Sequence, residues 1–219
     1  FWYLRRFPIQ AISKVVDYIV YMTYDLHGQW DYGNPYVDPG CPGGNCLRSH
    51  VNITETINAL SMITKAGVSN TQIAVGVSSY GRSFKMTKIG CWTAMCTYTG
   101  PKSGALPGEC TETAGYIADA EIDSVIADNP SAERHWDDKS FSNILVYNQT
   151  QWVSYMNESN KAIRRALYDQ VFTFLGTADW AVDLQGEGGS SGSPSGGGSS
   201  SMGYIGPTVW SESSPKVTG

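Results

Sequence analysis

The chain has 219 residues, of which 41% are hydrophobic and 16% are charged, and its formal net charge is −5. This composition supplies enough apolar residues for a core, so it excludes a chain that is disordered throughout. It has no excess of Lys and Arg that would favour a nucleic-acid partner, and no apolar run long enough to span a membrane. Aromatic residues make up 12% of the chain, which suits a neutral, ring-shaped ligand such as a sugar.

The first half of the chain has the pattern of a strand, a helix and a second strand. Residues 15–24 (VVDYIVYMTY) are β-branched and aromatic, which predicts a strand buried on both faces. Apolar residues at three- and four-residue spacing over 57–66 predict a helix, with Asn52 and Glu55 as its capping box. Residues 73–77 (IAVGV) predict another buried strand. This order implies parallel strands with a right-handed crossover.

The second half of the chain interrupts this α/β pattern and then resumes it. The segment from about residue 83 to 150 contains three cysteines, turn signals and shorter elements, and we interpret it as an insertion. Residues 161–169 predict a helix, and 171–180 (VFTFLGTADW) predict a third buried strand. Residues 186–201 are almost entirely Gly and Ser, which predicts a flexible linker. Residues 202–219 resemble the start of a truncated segment.

Three parallel strands with apolar faces do not complete a domain. Their outermost edges would remain exposed, so the sheet either continues in sequence outside this chain or closes into a barrel. The chain also begins with Phe1 and has no secretory leader. We therefore expect an N-terminal half to be absent from the sequence.

Five cysteines lie in two clusters, at Cys41, Cys46, Cys91, Cys96 and Cys110. Their spacing lacks the paired Cys-x-x-Cys pattern of zinc sites, so disulfides are favoured and no metal is expected. A Cys41–Cys46 bond would close a small loop. One of the other three cysteines is left over or pairs outside the chain. Disulfides predict an oxidising compartment.

Three Asn-x-Ser/Thr sequons support the same compartment. They begin at Asn52, Asn148 and Asn157, which are the candidate glycosylation sites. Sequons arise by chance, but together with the clustered cysteines they predict an extracellular protein.

Four segments of the chain resemble glycoside hydrolase family 18 chitinases. Residues 17–31 (DYIVYMTYDLHGQWD) are similar to their sixth barrel strand, 77–84 (VSSYGRSF) to the end of the seventh, 179–184 (DWAVDL) to the end of the eighth, and 2–4 (WYL) to the exit of the fifth. The resemblance implies an α/β fold in which residues 1–185 form only the C-terminal half of a (β/α)8 TIM barrel. A small α+β insertion, at about 84–150, precedes the last strand.

The cysteine clusters and the Gly/Ser linker most resemble the fungal branch related to killer-toxin chitinase subunits. The family places an Asp-x-x-Asp-x-Asp-x-Glu motif, whose Glu is the general acid, at the end of the fourth strand. That motif does not occur in this chain, and the acidic cluster at 119–123 lacks its spacing. The isolated chain is therefore expected to be inactive.

The resemblance implies a secreted chitinase that hydrolyses β-1,4-linked N-acetylglucosamine polymers by a substrate-assisted, retaining route without metal or organic cofactor. It implies that Tyr24 orients the N-acetyl carbonyl, while Asp25 accepts a substrate hydroxyl or orients the acetamido group. Trp180 would form an apolar floor under the sugar. The full set of candidate substrate-binding residues is Met22, Tyr80, Arg82, Trp180, Trp2 and Tyr3.

The residues of this region also have alternative interpretations. Tyr24 and Trp180 are otherwise plain core side chains, and Asp25 is otherwise a helix or loop cap. Arg82 either bonds sugar hydroxyls or forms a salt bridge that ties the insertion to the barrel. His27 is interpreted as a loop histidine that bonds nearby backbone, rather than a catalytic group.

Two other functions remain open: a chitin-binding lectin on the same barrel, and a toxin subunit tethered through the unpaired cysteine. In each case the partner is chitin or a chito-oligosaccharide, at the cell exterior or the cell wall. Additional carbohydrate-binding domains in the same parent chain are compatible with the resemblance.

Overall fold

The computed structural model describes residues 6–37 and 39–186. The predictions for Trp2, Tyr3, residues 187–201 of the linker and residues 202–219 fall outside this part. In chain order, its helices and strands are α1 (Ile9–Ser13), β1 (Ile19–Tyr21), α2 (Ile53–Lys65), β2 (Ile73–Ser78), β3 (Tyr80–Lys85), β4 (Ile117–Ala118), α3 (Asp119–Asp128), β5 (Glu133–Asp137), β6 (Ser142–Tyr147), β7 (Gln151–Tyr155), α4 (Glu158–Ala166) and β8 (Gly176–Trp180).

The predicted strand–helix–strand unit is confirmed. β1, β2 and β8 form a parallel sheet in that order, with Ile19 opposite Ile73 and Ala74 opposite Gly176. α2 connects β1 to β2, and its Leu60 side chain packs in the core of this sheet. Because parallel strands end at the same edge, the residues that follow these three strands are brought together.

α2 begins as predicted at its cap but not at its capping box. The side chain of Asn52 accepts hydrogen bonds from the backbone N–H groups of Thr54 and Glu55. The Glu55 side chain does not bond back to the Asn52 backbone, as a capping box requires; it bonds to His27 instead. The helix ends before Gly67, whose φ of +92° suits glycine.

The prediction that the first and third apolar runs are buried on both faces is wrong. β1 contains only three residues, and Val15 lies outside it and is exposed. Met22 is 65% exposed and Trp180 is 58% exposed. In the described part of the chain β1 and β8 each pair only with β2, so one side of each strand has no neighbour to cover it.

A second sheet follows β2 after a single residue. It is antiparallel, in the order β4-β3-β7-β6-β5, and its strands span 80–155. Its core includes Phe84, Tyr98 and Trp152, with the Phe84 and Tyr98 rings stacked at 4.3 Å between centroids.

α4 overlaps the predicted helix 161–169, but it buries polar residues and exposes one of its apolar residues. Ile163 is 51% exposed, whereas Lys161 and Arg164 are buried. Lys161 Nζ donates to Ser79 Oγ at 3.0 Å and lies 3.3 Å from Asp119 Oδ2. Arg164 donates to backbone carbonyls. Burial is tolerated because each charge is compensated by acceptors.

The cysteines pair within each cluster, as Cys41–Cys46 and Cys91–Cys96, and the left-over residue is the exposed Cys110.

We expect thiol titration of the native chain to give one reactive group, and the reduced, unfolded chain to give five. Cys110→Ser should abolish the native signal. A native count of three or more would contradict this pairing.

Candidate active site

The candidate site lies at the carboxyl edge of the parallel sheet. Tyr24 and Asp25 follow β1, Tyr80 is the first residue of β3 just beyond β2, and Trp180 ends β8. The edge is held together by backbone, since the Ser79 N–H donates to the Trp180 carbonyl at 2.8 Å.

The Tyr24 ring is positioned by a close approach to β2. Thr23 Oγ1 donates to the Gly76 carbonyl at 2.6 Å, which fixes the segment against the strand. A Cβ built at Gly76 would lie 2.8 Å from Tyr24 Cε1 and 2.9 Å from the Tyr21 carbonyl oxygen. A glycine is therefore required there for Tyr24 to occupy its place.

Asp25 is the centre of the site. Its φ is +57°, which is uncommon for a residue with a side chain. Its Oδ1 accepts hydrogen bonds from the Tyr80 hydroxyl at 2.7 Å and from Arg82 Nε at 2.8 Å, and its Oδ2 accepts from Arg82 Nη2 at 2.8 Å. This two-point contact is the strong geometry for a guanidinium and a carboxylate.

The surroundings of Asp25 keep it ionised. Burial by itself would raise its pKa, but the hydrogen bonds from Arg82 and Tyr80, together with the charge of Arg82, hold the pKa of this carboxyl well below its usual range. Tyr80 stays protonated, because burial and the charge of Asp25 raise its pKa. The site thus presents an ionised carboxylate at the sheet edge, held in an ion pair with Arg82.

Tyr24 lies beside this cluster as a protonated phenol. Its ring meets the Tyr80 ring edge-on, with the centroids 6.0 Å apart. Burial, and then the charges of Asp25 and Asp179, raise its pKa. Near neutral pH its hydroxyl can therefore donate a hydrogen bond to a bound molecule.

Of the two alternatives for Arg82, the structure contains the salt bridge. Arg82 belongs to the second sheet and Asp25 to the loop after β1, so their contact ties the two sheets together. The guanidinium also lies over three aromatic rings, 4.9 Å from the centroid of Trp30 and 5.5 Å from those of Tyr80 and Tyr116.

The interpretation of His27 as bonding nearby backbone is wrong. Its Nδ1 is 2.8 Å from Asp31 Oδ2 and its Nε2 is 3.0 Å from Glu55 Oε1. Burial opposes protonation, but the two carboxylates outweigh it and raise the pKa of His27 to about 9. The imidazolium therefore connects the loop that carries Trp30 to the first turn of α2.

We expect this contact to make stability fall at alkaline pH. The pKa of His27 is about 9 in the folded chain against 6.5 for an ordinary histidine, so its contribution to stability is complete below about pH 6.5 and is lost as pH rises through about 9. Because Glu55 is partly exposed, we expect about 1–3 kcal/mol, as urea unfolding at pH 6 and pH 9.5 would measure. His27→Gln should remove most of the difference in the free energy of unfolding between the two pH values. His135→Gln, which changes the exposed pair of His135 and Glu133, should leave that difference as in the wild type. The same difference in the wild type and in His27→Gln would contradict this account.

The structure brings together four predicted residues, namely Tyr24, Asp25, Tyr80 and Arg82. Met22 and Trp180 lie at the ends of their strands with exposed side chains. Three other residues contact this cluster but were not among the candidates, namely His50, Trp30 and Tyr116. Trp30 lies within the family-like run 17–31, which could have signalled it.

Two other properties concern the described residues only. They contain no group of three or more His, Cys, Asp or Glu side chains arranged to hold a metal ion. Within the same ranges, no helix combines the length and apolar character that crossing a bilayer requires.

Comparison with known proteins identifies the family. The model of glycosyl hydrolases family 18 matches residues 2–183. The chain is 54% identical over 189 residues to "Secreted chitinase LysM12" of Penicillium expansum, covering 84% of this chain and 12% of that protein. It is 34% identical over 187 residues to "Killer toxin subunits alpha/beta" of Kluyveromyces lactis, covering 84% of this chain and 15% of that protein.

Solved structures show the same fold. The Group IV chitinase of Ostrinia furnacalis in complex with allosamidin superposes with a TM-score of 0.66 at 22% identity, over 81% of this chain and 46% of that one. A plant class V chitinase mutant from Cycas revoluta in complex with (GlcNAc)3 gives 0.64 at 19% identity, over 81% and 45%.

The chain belongs to glycosyl hydrolases family 18. It forms the C-terminal half of the TIM barrel of that family, with an α+β insertion before the last strand, and it spans less than half the length of these structures.

Proposed function

We propose that this chain supplies the substrate-orienting half of the site in a secreted chitinase, an enzyme that hydrolyses β-1,4-linked N-acetylglucosamine polymers. Family membership and the names of the similar Penicillium proteins support the reaction class. The observation that carries the proposal is the ionised Asp25, fixed by Tyr80 and Arg82 beside the protonated Tyr24. The edge thereby offers a hydrogen-bond donor and an acceptor side by side, as an acetamido group requires.

In this proposal the nucleophile belongs to the substrate. The N-acetyl oxygen attacks the anomeric carbon and forms an oxazolinium-like intermediate, while the glycosidic bond breaks and the leaving oxygen takes a proton. The Tyr24 hydroxyl donates to the N-acetyl oxygen and holds it in line. Asp25 accepts from the acetamido N–H or a sugar hydroxyl and stabilises the positive charge that develops on the ring. Water then opens the intermediate.

The exposed side chains at the strand ends contact the sugar. The flat indole of Trp180 matches the C–H face of a pyranose and excludes water from it. Met22 would line the same cleft. The proton donor is a Glu of the Asp-x-x-Asp-x-Asp-x-Glu motif, which these 219 residues do not contain.

Location and organisation are part of the proposal. The two disulfides and the sequons at Asn52, Asn148 and Asn157 favour an extracellular protein. Residues 186–201 would act as a linker to further segments, including carbohydrate-binding domains.

The test compares the purified 219-residue chain with the full natural polypeptide that contains it. We expect the natural polypeptide to release fluorophore from a fluorogenic chitotriose, and the isolated chain to release none, because the acid is outside it. Sustained turnover by the isolated chain would contradict the assignment of the acid. If calorimetry shows that the natural polypeptide binds chitotetraose but no hydrolysis is detected, the protein is a chitin-binding lectin and not a chitinase.

A further inference from the structure

One buried histidine fixes the backbone on both sides of the Asp25 Cα. His50 is 0% exposed and lies in the loop before α2. Its Nδ1 accepts a hydrogen bond from the Asp25 backbone N–H at 3.3 Å, and its carbonyl oxygen accepts one from the Leu26 N–H at 3.1 Å. Two consecutive amides of the candidate site are therefore held by a single residue.

These two hydrogen bonds hold a backbone conformation that is unfavourable without support. Asp25 has a φ of +57°, a conformation that a residue with a Cβ seldom adopts without support. The direction of its carboxylate toward Tyr80 and Arg82 follows from that conformation. If the two amides were released, the segment could relax and the carboxylate would leave its partners.

The contact with the Asp25 N–H favours one protonation state of His50. A nitrogen that accepts from an N–H cannot carry a proton, so the proton belongs on Nε2, which is buried and has no hydrogen-bond partner among the described residues. The alternative donor contact, from Nδ1 to Asp25 Oδ1, is longer, at 3.6 Å. Burial lowers the pKa of His50 and outweighs the neighbouring Asp25 carboxylate, which raises it, so the ring is neutral.

The second sheet in turn holds His50. Its ring lies against Tyr80 with the centroids 5.2 Å apart. Its backbone N–H donates to Ser154 Oγ, in β7, at 3.4 Å. The neighbouring Ser49 hydroxyl bonds to that of Ser142, in β6, at 2.7 Å. His50 is thus anchored to the antiparallel sheet while it fixes a loop of the parallel one.

We propose that His50, as the neutral Nε2–H tautomer, is a positioning residue that holds Asp25 in the conformation that turns its carboxylate toward Tyr80, Arg82 and the substrate. The effect on catalysis rests on the proposed function. The tautomer and the backbone contacts are properties of the fold and can be tested without it.

The first test is a long-range ¹H–¹⁵N correlation spectrum of the histidine-labelled chain at pH 7. Three histidines are present, so assignment by single substitutions is direct. We expect the His50 signals of a neutral ring with the proton on Nε2. An imidazolium, or a ring with its proton on Nδ1, would overturn the proposal.

The second test uses variants of the full natural polypeptide. His50→Asn can place an acceptor near the position of Nδ1, whereas His50→Leu keeps the bulk without an acceptor and His50→Gln places its amide nearer the position of Nε2. We expect His50→Leu and His50→Gln to lower kcat on chitotriose by about 10- to 100-fold, with a smaller change in KM, because the reacting groups lose alignment. His50→Asn should retain most of the activity.

The control is Val51→Ala, a change in the adjacent buried residue whose side chain cannot bond to Asp25. It should lower the melting temperature but leave kcat near that of the wild type. Wild-type kcat in His50→Leu, or equal losses in the Asn and Gln variants, would overturn the proposal. If His50→Leu does not fold, the Asn and Gln pair decides. If the wild type neither binds nor cleaves chito-oligosaccharides, the proposed function fails, while the tautomer spectrum still decides the role of His50.

Discussion

Asp25→Asn is expected to lower kcat/KM for chitotriose by about 100- to 1000-fold in the natural polypeptide, in the range of losing a preorganised electrostatic contact. The asparagine has the same shape but removes the negative charge that would face the developing oxazolinium. It also leaves the half-buried guanidinium of Arg82 without its counter-ion. The pKa of Asp25 is held low, so the wild-type charge persists through mildly acidic conditions and the loss should appear at every pH from 5 to 8.

Controls separate chemistry from folding in this variant. Asp169→Asn removes an exposed charge from the π-helix Leu167–Val171, which precedes β8 and lies away from the carboxyl edge, and should leave kcat/KM unchanged. Arg82→Met tests whether Asp25 acts only through its ion pair. If Asp25→Asn has no further effect in the Arg82→Met background, Asp25 is structural and the proposed contact with the acetamido group is wrong.

Tyr24→Phe is the second large effect that we expect. Removing the hydroxyl should lower kcat by about 10- to 1000-fold with a smaller change in KM, because the lost hydrogen bond is one that aligns the N-acetyl oxygen for attack. Stopped assays over a range of chitotriose concentrations would separate the two constants. An unchanged kcat would remove Tyr24 from the mechanism.

Two further variants sharpen this result. Tyr147→Phe removes a hydroxyl from a buried tyrosine of the second sheet and serves as the matched control. Gly76→Ala keeps the hydroxyl but pushes a methyl group against the Tyr24 ring, so it should also lower kcat. A melting curve of each variant shows whether a loss of activity reflects unfolding.

The parallel half of the fold was predictable because its signals are local. Three apolar runs and one amphipathic helix identified β1, α2, β2 and β8, and Asn52 marked where the helix begins. Burial was predicted less well. The open outer edges of the three strands were expected, but a run such as 15–24 is apolar whether or not other elements cover its faces, so its composition could not show that Val15 and Met22 are exposed.

α4 shows why a pattern of apolar residues can mislead. Ile163 and Leu167 are the apolar residues of the predicted helix 161–169. Leu167 packs against the core, but Ile163 is exposed and Lys161 and Arg164 are buried. Their acceptors, including Ser79, Asp119 and backbone carbonyls, come from distant parts of the chain. No local periodicity can show that such partners will be present.

The residues of the candidate site could be predicted from the sequence, but the contacts between them could not. The family-like motifs identified Tyr24, Asp25, Tyr80 and Arg82, and the structure places them together. The choice between the two roles of Arg82 depended on its meeting a residue 57 positions away. His50 carries no motif of its own, because its function depends on the conformation of the loop that it supports.

Because only one residue separates β2 from β3, the position of the junction matters in a chimera between relatives. Tyr80 and Arg82 lie on β3 and so belong to the second sheet, although their partner Asp25 belongs to the barrel. A graft that exchanges this sheet at Ser79 would import a foreign counter-ion for Asp25. Junctions placed after Lys85 and before Gln151 would exchange the intervening segment and keep both strands that carry the native contacts.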